Sequence, residues 1–198
     1  VCRMRKTPVI VFVNKMDREG RDAFDLMDEL EKELKIKVRP LSWPIGIGKT
    51  FKGVYNVYEK SLNLFPGDEK QTISDSVEIK EFNTDNLQKY LNEDFTDTLL
   101  SDIEVVETVY PEFKSEDYLN GDICPVFFGS AVNNFGVREL LNCFTDIAPY
   151  PLPRETDKRM VDPFEPKFSG FIFKIFANID PRHRDRIAFL RICSGKFV

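Results

Sequence analysis

The chain has 198 residues, 42% of them hydrophobic and 13% aromatic, which is enough for one large or two small domains with a packed core. No apolar run is long enough to span a membrane, and the net charge is −5. The four cysteines are far apart, with neither metal spacing nor a paired framework, so the composition excludes a disulfide-rich scaffold. We therefore expect a cytoplasmic protein without a metal site.

The charge is unevenly distributed along the sequence. Residues 167–198 contain seven Lys or Arg against two Asp, a net charge of +5, so the rest of the chain carries −10. A basic end segment on an acidic body is typical of a surface that faces a polyanion such as RNA, and solvated strand faces explain it equally well.

The first predicted element is a strand at 9–13, buried on both faces, and it runs directly into Asn14-Lys15-Met16-Asp17. Ligands of open α/β sheets bind beyond the carboxyl ends of the strands. Asn-Lys-x-Asp is the guanine-reading motif of GTPases, and an ionised Asp17 can accept both parallel N–H donors that guanine presents. We expect Asn14 to tie this loop to a neighbouring loop and to meet the base edge, and the Lys15 stem to lie along the base plane.

An amphipathic helix is predicted at about 21–35, and two strands around a turn are predicted within 36–65. Residues 66–83 are polar and turn-rich, with a short strand near 77–79. Further helices are predicted at about 95–109 and 115–120.

Gly48-Lys49-Thr50 imitates the end of a phosphate-binding loop, but the match is incomplete. Position 43 is Trp where the motif requires Gly, and strand signals follow where it requires a helix. We therefore interpret Gly46 and Gly48 as turn residues.

The plan of strand, loop and helix recurs at 124–148. A buried strand leads into Gly129-Ser130-Ala131, and a helix is predicted at about 136–148. The apolar face predicted for this helix consists of Val137, Leu140, Leu141, Phe144 and Ile147.

The second loop completes a predicted guanine site. GTPases place such a Ser-Ala loop against the base, where the small Ala131 lets a backbone N–H approach the guanine carbonyl and Ser130 can brace Asp17. The predicted guanine-binding residues are Asn14, Lys15, Asp17, Ser130 and Ala131.

The end of the chain changes character. Residues 149–166 are rich in proline and predict a stiff, extended linker. Strands are predicted at 171–176 and 186–193, around a turn at 178–185. Two hairpin strands cannot form a stable domain alone, so we expect the first part of a β domain here.

With these motifs in place, the sequence resembles the translational GTPases, and among them the bacterial peptide chain release factor 3 group more closely than elongation factor G. The stretches that carry the resemblance are 14–21, 43–48, 51–55, 126–137, 168–174 and 180–189.

The resemblance implies an α/β fold in which 1–148 form the C-terminal half of a GTPase domain, with a family-specific elaboration around 36–83. Residues 149–166 would be the linker, and 167–198 the first strands of a β-barrel domain. Intact members bind GTP or GDP with Mg²⁺, contact the ribosome through its RNA and proteins, and promote release of class-I release factors with GTP hydrolysis.

The sequence departs from the family in lacking a complete phosphate-binding loop and the switch motifs. We therefore expect a fragment that holds the base-reading half of the site, has no catalytic or metal-binding residues, and is inactive alone. Exposed strand edges in such a fragment favour self-association. The alternatives are an elongation factor G-like GTPase, a non-catalytic ribosome- or RNA-binding module, and an unrelated α/β enzyme with accidental motifs.

Overall fold

A computed structural model describes residues 2, 7–64, 77–78, 81–177 and 186–197. The chain divides into two compact units, Val1–Ala148 and Pro149–Val198. The predicted fold class is confirmed, because the first unit combines a parallel sheet with helices and the second contains antiparallel strands. The turns predicted at 66–76 and 178–185 lie outside the described residues. None of the described helices is long and apolar enough to cross a membrane.

Elements are numbered in chain order. The helices are α1 Ala23–Leu34, α2 Thr84–Leu87, α3 Glu93–Val109, α4 Ser115–Asn120 and α5 Val137–Ile147. The strands are β1 Val11–Val13, β2 Lys37–Pro40, β3 Ser42–Ile45, β4 Gly53–Asn56, β5 Ser61–Leu64, β6 Val77–Glu78, β7 Ile123–Phe128, β8 Arg154–Glu155, β9 Met160–Val161, β10 Ser169–Ala177 and β11 Arg186–Ser194.

The parallel sheet has the order β1-β7-β2, so β7 lies in the middle and is buried along its whole length. Side chains alternate across it: Val126 and Phe128 belong to the larger core, while Phe127 packs with Cys143 and Ile147 on the opposite face. The strand predicted at 9–13 forms as β1, but it is half-buried rather than fully buried. It occupies an outer position in the described sheet, which explains the difference.

Helices α1 and α3 cover the larger core. The inner face of α3 consists of Leu99, Ile103 and Val106, which are buried, as is Tyr110 directly after the helix. Arg39 of β2 is also buried and donates to the backbone oxygens of Val106 (3.3 Å) and Tyr110 (3.4 Å). A cation at the last carbonyls of a helix is favourable, so this contact fixes the end of α3 against the sheet.

The segment 36–64 is more elaborate than two strands around a turn. β2 joins the parallel sheet, and the chain then turns at Leu41 into a separate antiparallel sheet, β3-β4-β5-β6. Trp43 joins the two sheets. Its ring packs 4.6 Å from that of Phe24 and 5.5 Å from that of Phe128, and its indole N–H donates to Asp102 at 2.9 Å.

Helix α5 forms as predicted, but its predicted apolar face is partly wrong. Cys143 and Ile147 are buried, whereas Leu141 and Phe144 are about half exposed. The buried line of the helix instead runs through Glu139, Cys143 and Ile147, which are spaced four residues apart. Pattern alone did not reveal that a carboxylate occupies an inner position.

In the second unit, the predicted pair of strands is confirmed as the antiparallel hairpin of β10 and β11. The segment predicted as an extended linker has more structure than expected, because β8 and β9 pair within it. Arg159 bonds the Glu165 carboxylate in the same segment, and Phe164 packs on Tyr150. The prolines therefore do not keep this stretch fully extended.

Candidate functional site

The ends of two neighbouring parallel strands bring the two predicted loops together. Val13, the last residue of β1, is in register with Phe128, the last residue of β7. Beyond these residues the Gly129 N–H donates to the Val13 oxygen (3.0 Å), and the Met16 N–H donates to the Gly129 oxygen (3.1 Å). The backbone ladder thus continues past the sheet into the loops.

The side chain of Asn14 ties the two loops, as the sequence predicts. Its Oδ1 accepts the N–H of Lys15 at 2.8 Å and the N–H of Ala131, 117 positions later, at 2.9 Å. One amide oxygen therefore closes its own turn and holds the neighbouring loop. The sequence predicts that a backbone N–H approaches the guanine carbonyl beside Ala131, and in this structure the Ala131 N–H itself donates to Asn14.

The first loop presents its polar residues around one buried anchor. Met16 is buried, Asn14 and Lys15 are exposed, and Asp17 is half-buried. Lys15 adopts a positive φ of 69°, a conformation that few non-glycine residues take outside functional or tightly held turns. Its carbonyl accepts the Arg18 N–H at 3.0 Å, which closes the turn.

Asp17 is half-buried and lies in the first loop, four residues beyond the end of β1. Within the described part of the chain, no residue donates a hydrogen bond to this carboxylate. A carboxylate can accept a pair of parallel donors, which is the pattern of a guanine edge.

The second loop is closed by its own residues. Ser130 and Phe135 exchange two backbone hydrogen bonds of 2.9 Å, and Asn133 donates its side-chain amide to Ser130 Oγ, also at 2.9 Å. The sequence assigned this hydroxyl to Asp17. The structure pairs it with Asn133 instead, so Ser130 is brought beside the first loop without bracing its carboxylate.

Two glycines make this second loop compact. A Cβ on Gly129 would lie 2.1 Å from the Phe135 oxygen, and one on Gly136 would lie 2.3 Å from the Phe128 oxygen. Gly136 also has a φ of +75°, which favours glycine. No side chain fits at either position, so the backbone closes on itself at the end of β7.

A third segment, which the sequence did not assign to the site, reaches both loops from the antiparallel sheet. The Gly48 N–H donates to the Met16 oxygen at 2.8 Å, and the Phe51 ring packs edge-on against the Phe135 ring with centroids 5.7 Å apart. Gly48–Thr50 form a single 3₁₀ turn between antiparallel strands. This confirms the interpretation of the segment as a turn and not as a phosphate-binding loop. A contact between distant segments leaves no periodic signal in a sequence.

Titratable groups near the second loop have pKa values shifted by burial. Glu139, in the first turn of α5, has its pKa raised mainly by burial and further by the nearby Glu59 carboxylate. Its Oε2 is buried without a hydrogen-bond partner among the described residues. Burial also raises the pKa of the Cys143 thiol to about 12, with Asp146 and Glu59 adding to the shift.

The groups of this site are suited to the base of a nucleotide. The Asp17 carboxylate and the two joined loops suit a purine edge, whereas the described residues contain no group of three acidic, His or Cys side chains that could hold a metal ion. The arrangement therefore supports recognition of the base.

Comparison with known families gives two matches. Residues 1–150 match the family model of the elongation factor Tu GTP binding domain. Residues 167–198 match the family model of elongation factor G domain 2.

Proposed function

Because the chain belongs to the elongation factor Tu GTP binding domain family, we propose that it reads the guanine base of GTP and GDP within a translation termination factor of the release factor 3 group. The matched families support a translational GTPase. The sequences of 43–58 and 168–189 resemble the release factor 3 group more than elongation factor G, which supports the finer assignment.

The bond from the Ala131 N–H to Asn14 Oδ1 is the observation that carries the proposal. Two motifs that GTPases use against guanine are far apart in the sequence and meet through this contact. Recognition of one base by both motifs requires that they lie together, and this contact meets that requirement.

The proposed roles follow from the chemistry of each group. Asp17 accepts the two N–H donors of guanine, and the Lys15 stem covers one face of the base. Asn14 holds the loops together, while Ser130 and Ala131 form the wall beside the base. An adenine would leave the Asp17 carboxylate unpaired, which is the source of discrimination.

The remaining assignments concern the parent protein, by which we mean the protein that contains this sequence in nature. In it, 1–148 would belong to the GTPase domain, 149–166 to the linker and 167–198 to the barrel domain. The parent would hydrolyse GTP on the ribosome and promote release of class-I release factors. The 198 residues contain no complete phosphate-binding loop motif. We therefore assign no catalytic role to any of them and expect the isolated chain not to hydrolyse GTP.

The decisive experiment changes the base that is read. In the parent protein, Asp17→Asn should move the preference from guanine towards xanthine nucleotides, because an amide can donate to the second carbonyl of xanthine. Competition binding with GDP and XDP measures the shift. Asp28→Asn, the same change at an exposed position of α1, is the matched control. An unchanged base preference in the Asp17 variant would remove this residue from its proposed role.

A second candidate function, RNA contact by the second unit, rests on a separate observation. The described basic residues of its hairpin, Lys174, Arg186 and Arg191, are all exposed. Contact with ribosomal RNA would give a steep loss of affinity with salt, and each phosphate contact contributes about one unit to that slope. Arg191→Ala should lower the slope, whereas Lys32→Ala in the first unit should not. A salt-independent affinity would contradict RNA contact.

A further inference from the structure

The loop at 46–51, which we call the brace loop, touches both loops of the proposed base site. It connects β3 to β4, so it belongs to the antiparallel sheet rather than to the sheet that carries the site. Its Gly48 N–H donates to the Met16 oxygen, and its Phe51 ring meets the Phe135 ring of the second loop.

The brace loop is built to hold one shape. Gly46 and Gly48 have φ values of +73° and +61°, which favour glycine. The Ile47 N–H donates to Thr50 Oγ1 (3.2 Å), and the Thr50 hydroxyl donates back to the Ile47 oxygen (2.8 Å). The Lys52 N–H then closes the base of the loop on the Ile45 oxygen at 2.7 Å. Hydrogen bonds close the brace loop both within it and at its base. A displacement of the antiparallel sheet would therefore move the loop as a unit.

The contact with Met16 acts directly on the orientation of Asp17. The Met16 carbonyl and the Asp17 N–H belong to one planar peptide unit, so fixing the carbonyl direction fixes the plane from which the Asp17 side chain departs. The preceding peptide unit is held separately, because the Met16 N–H donates to Gly129. The two peptide planes around Met16 are therefore held by two different segments of the chain.

We propose that Gly48 is a positioning residue for guanine recognition, and that the brace loop couples the antiparallel sheet to nucleotide affinity. This inference rests on the proposed function. By thermodynamic reciprocity, a nucleotide that needs the held form of the Asp17 peptide must in turn stabilise the brace loop.

The first test uses the parent protein and two glycine substitutions. Gly48→Ala adds a Cβ at a φ of +61°, which L side chains rarely adopt. The exposed Glu19 carboxylate, 2.7 Å from that Cβ, can move aside, so we expect the backbone strain itself to shift the Gly48 peptide that donates to Met16. Gly121→Ala is the matched control, since Gly121 has a φ of +80° at the end of α4 and open space around the added Cβ. Both variants place an alanine at positive φ, and only Gly48 contacts a base loop.

The readout compares GDP with IDP, because inosine lacks the exocyclic amine that Asp17 would bind. Displacing Asp17 removes two hydrogen bonds from GDP and one, to the ring N–H, from IDP. Gly48→Ala should therefore weaken GDP by about tenfold and IDP by less. The GDP-to-IDP affinity ratio should therefore fall towards one. Gly121→Ala should keep the parent ratio even where its melting temperature falls by a similar amount.

A second test needs no substitution. Bound GDP should slow hydrogen exchange of the Gly48 amide, because that amide donates to the loop the base would order. The Gly121 amide, which caps α4 on its own helix, is the internal control and should show no comparable slowing.

The outcomes separate the two proposals. A parent protein that binds no guanine nucleotide would overturn the proposed function, and the role of the brace loop with it. Normal GDP binding, with an unchanged GDP-to-IDP ratio in Gly48→Ala or with no slowing of the Gly48 amide, would overturn this inference alone.

Discussion

The two loops of the proposed base site are built on the same plan of strand, loop and helix, yet they are held in different ways. The second loop is closed by its own residues, through the paired backbone bonds of Ser130 and Phe135 and the side chain of Asn133. The first loop has two internal hydrogen bonds, from the Arg18 N–H to the Lys15 oxygen and from the Lys15 N–H to the Asn14 side chain, and is otherwise held by Gly129, Ala131 and Gly48.

The second loop therefore acts as a template, a preformed surface, and the first loop is positioned against it. The second loop can reach its shape from local sequence, because its closing residues lie within six positions of one another. The first loop reaches its shape only when distant segments are in place. We therefore expect changes in the second loop to affect stability most, and changes in the first loop to affect mainly the contact between the two.

The largest effect should come from breaking the template. Gly129→Ala would place a Cβ against the Phe135 oxygen and the Phe12 ring, in a fully packed region, and should cost about 3 kcal/mol of unfolding free energy. Urea unfolding followed by circular dichroism measures this. Gly20→Ala, whose added Cβ would meet only the Arg18 oxygen at 3.8 Å, is the control. Equal stability of the two variants would show that the second loop is not closely packed.

An intermediate effect should come from cutting the tie between the loops. Asn14→Ala removes the acceptor for the N–H groups of Lys15 and Ala131 and should cost about 1.5 kcal/mol. Asn14→Asp keeps an oxygen at the same place and should retain most of the stability in the same urea titration. If Asp and Ala at this position unfolded alike, the tie would carry no energy.

The smallest effect should be a gain at Glu139, whose buried Oε2 has no hydrogen-bond partner among the described residues. The pKa of Glu139 is raised, so the carboxyl stabilises the fold below its unfolded pKa of about 4.3 and this contribution is lost as pH rises through the higher folded value. Glu139→Gln removes the charge that burial and Glu59 disfavour and should add about 1 kcal/mol at pH 7.

The pH dependence makes that prediction specific. The gain from Glu139→Gln should shrink as the pH falls towards 4, where the native carboxyl is already neutral. Thermal unfolding at a series of pH values measures it. Glu116→Gln, at an exposed position in the first turn of α4, should show no such gain. A gain independent of pH would point to packing rather than charge.

Elements with strong local signals could be predicted from the sequence. The buried run of β7, the inner face of α3 and the left-handed glycine that ends α4 all follow from periodicity or capping within a few residues. The tie between Asn14 and the second loop could also be predicted, because parallel strands deliver their loops to one edge.

The sequence-based predictions of burial and contact failed where these depend on residues that are distant in the sequence. Whether Leu141 and Phe144 are covered depends on what packs on α5, and a helical pattern does not supply that information. The half-burial of β1 depends on its place in the sheet order. The Gly48 contact to Met16 joins segments with no shared repeat, so the sequence showed a turn and not its partner.

The two buried cysteines can report how fast the structure around them opens. Cys124 lies on β7 before the second loop and Cys143 lies on α5 after it, and both thiols are buried. Burial raises their pKa values to about 11 and about 12, so almost no thiolate is present at neutral pH. Alkylating reagents should label the exposed Cys2 at once and reach the inner pair only when the surrounding structure opens. The rate at which the inner pair is labelled would time that opening without any engineered probe.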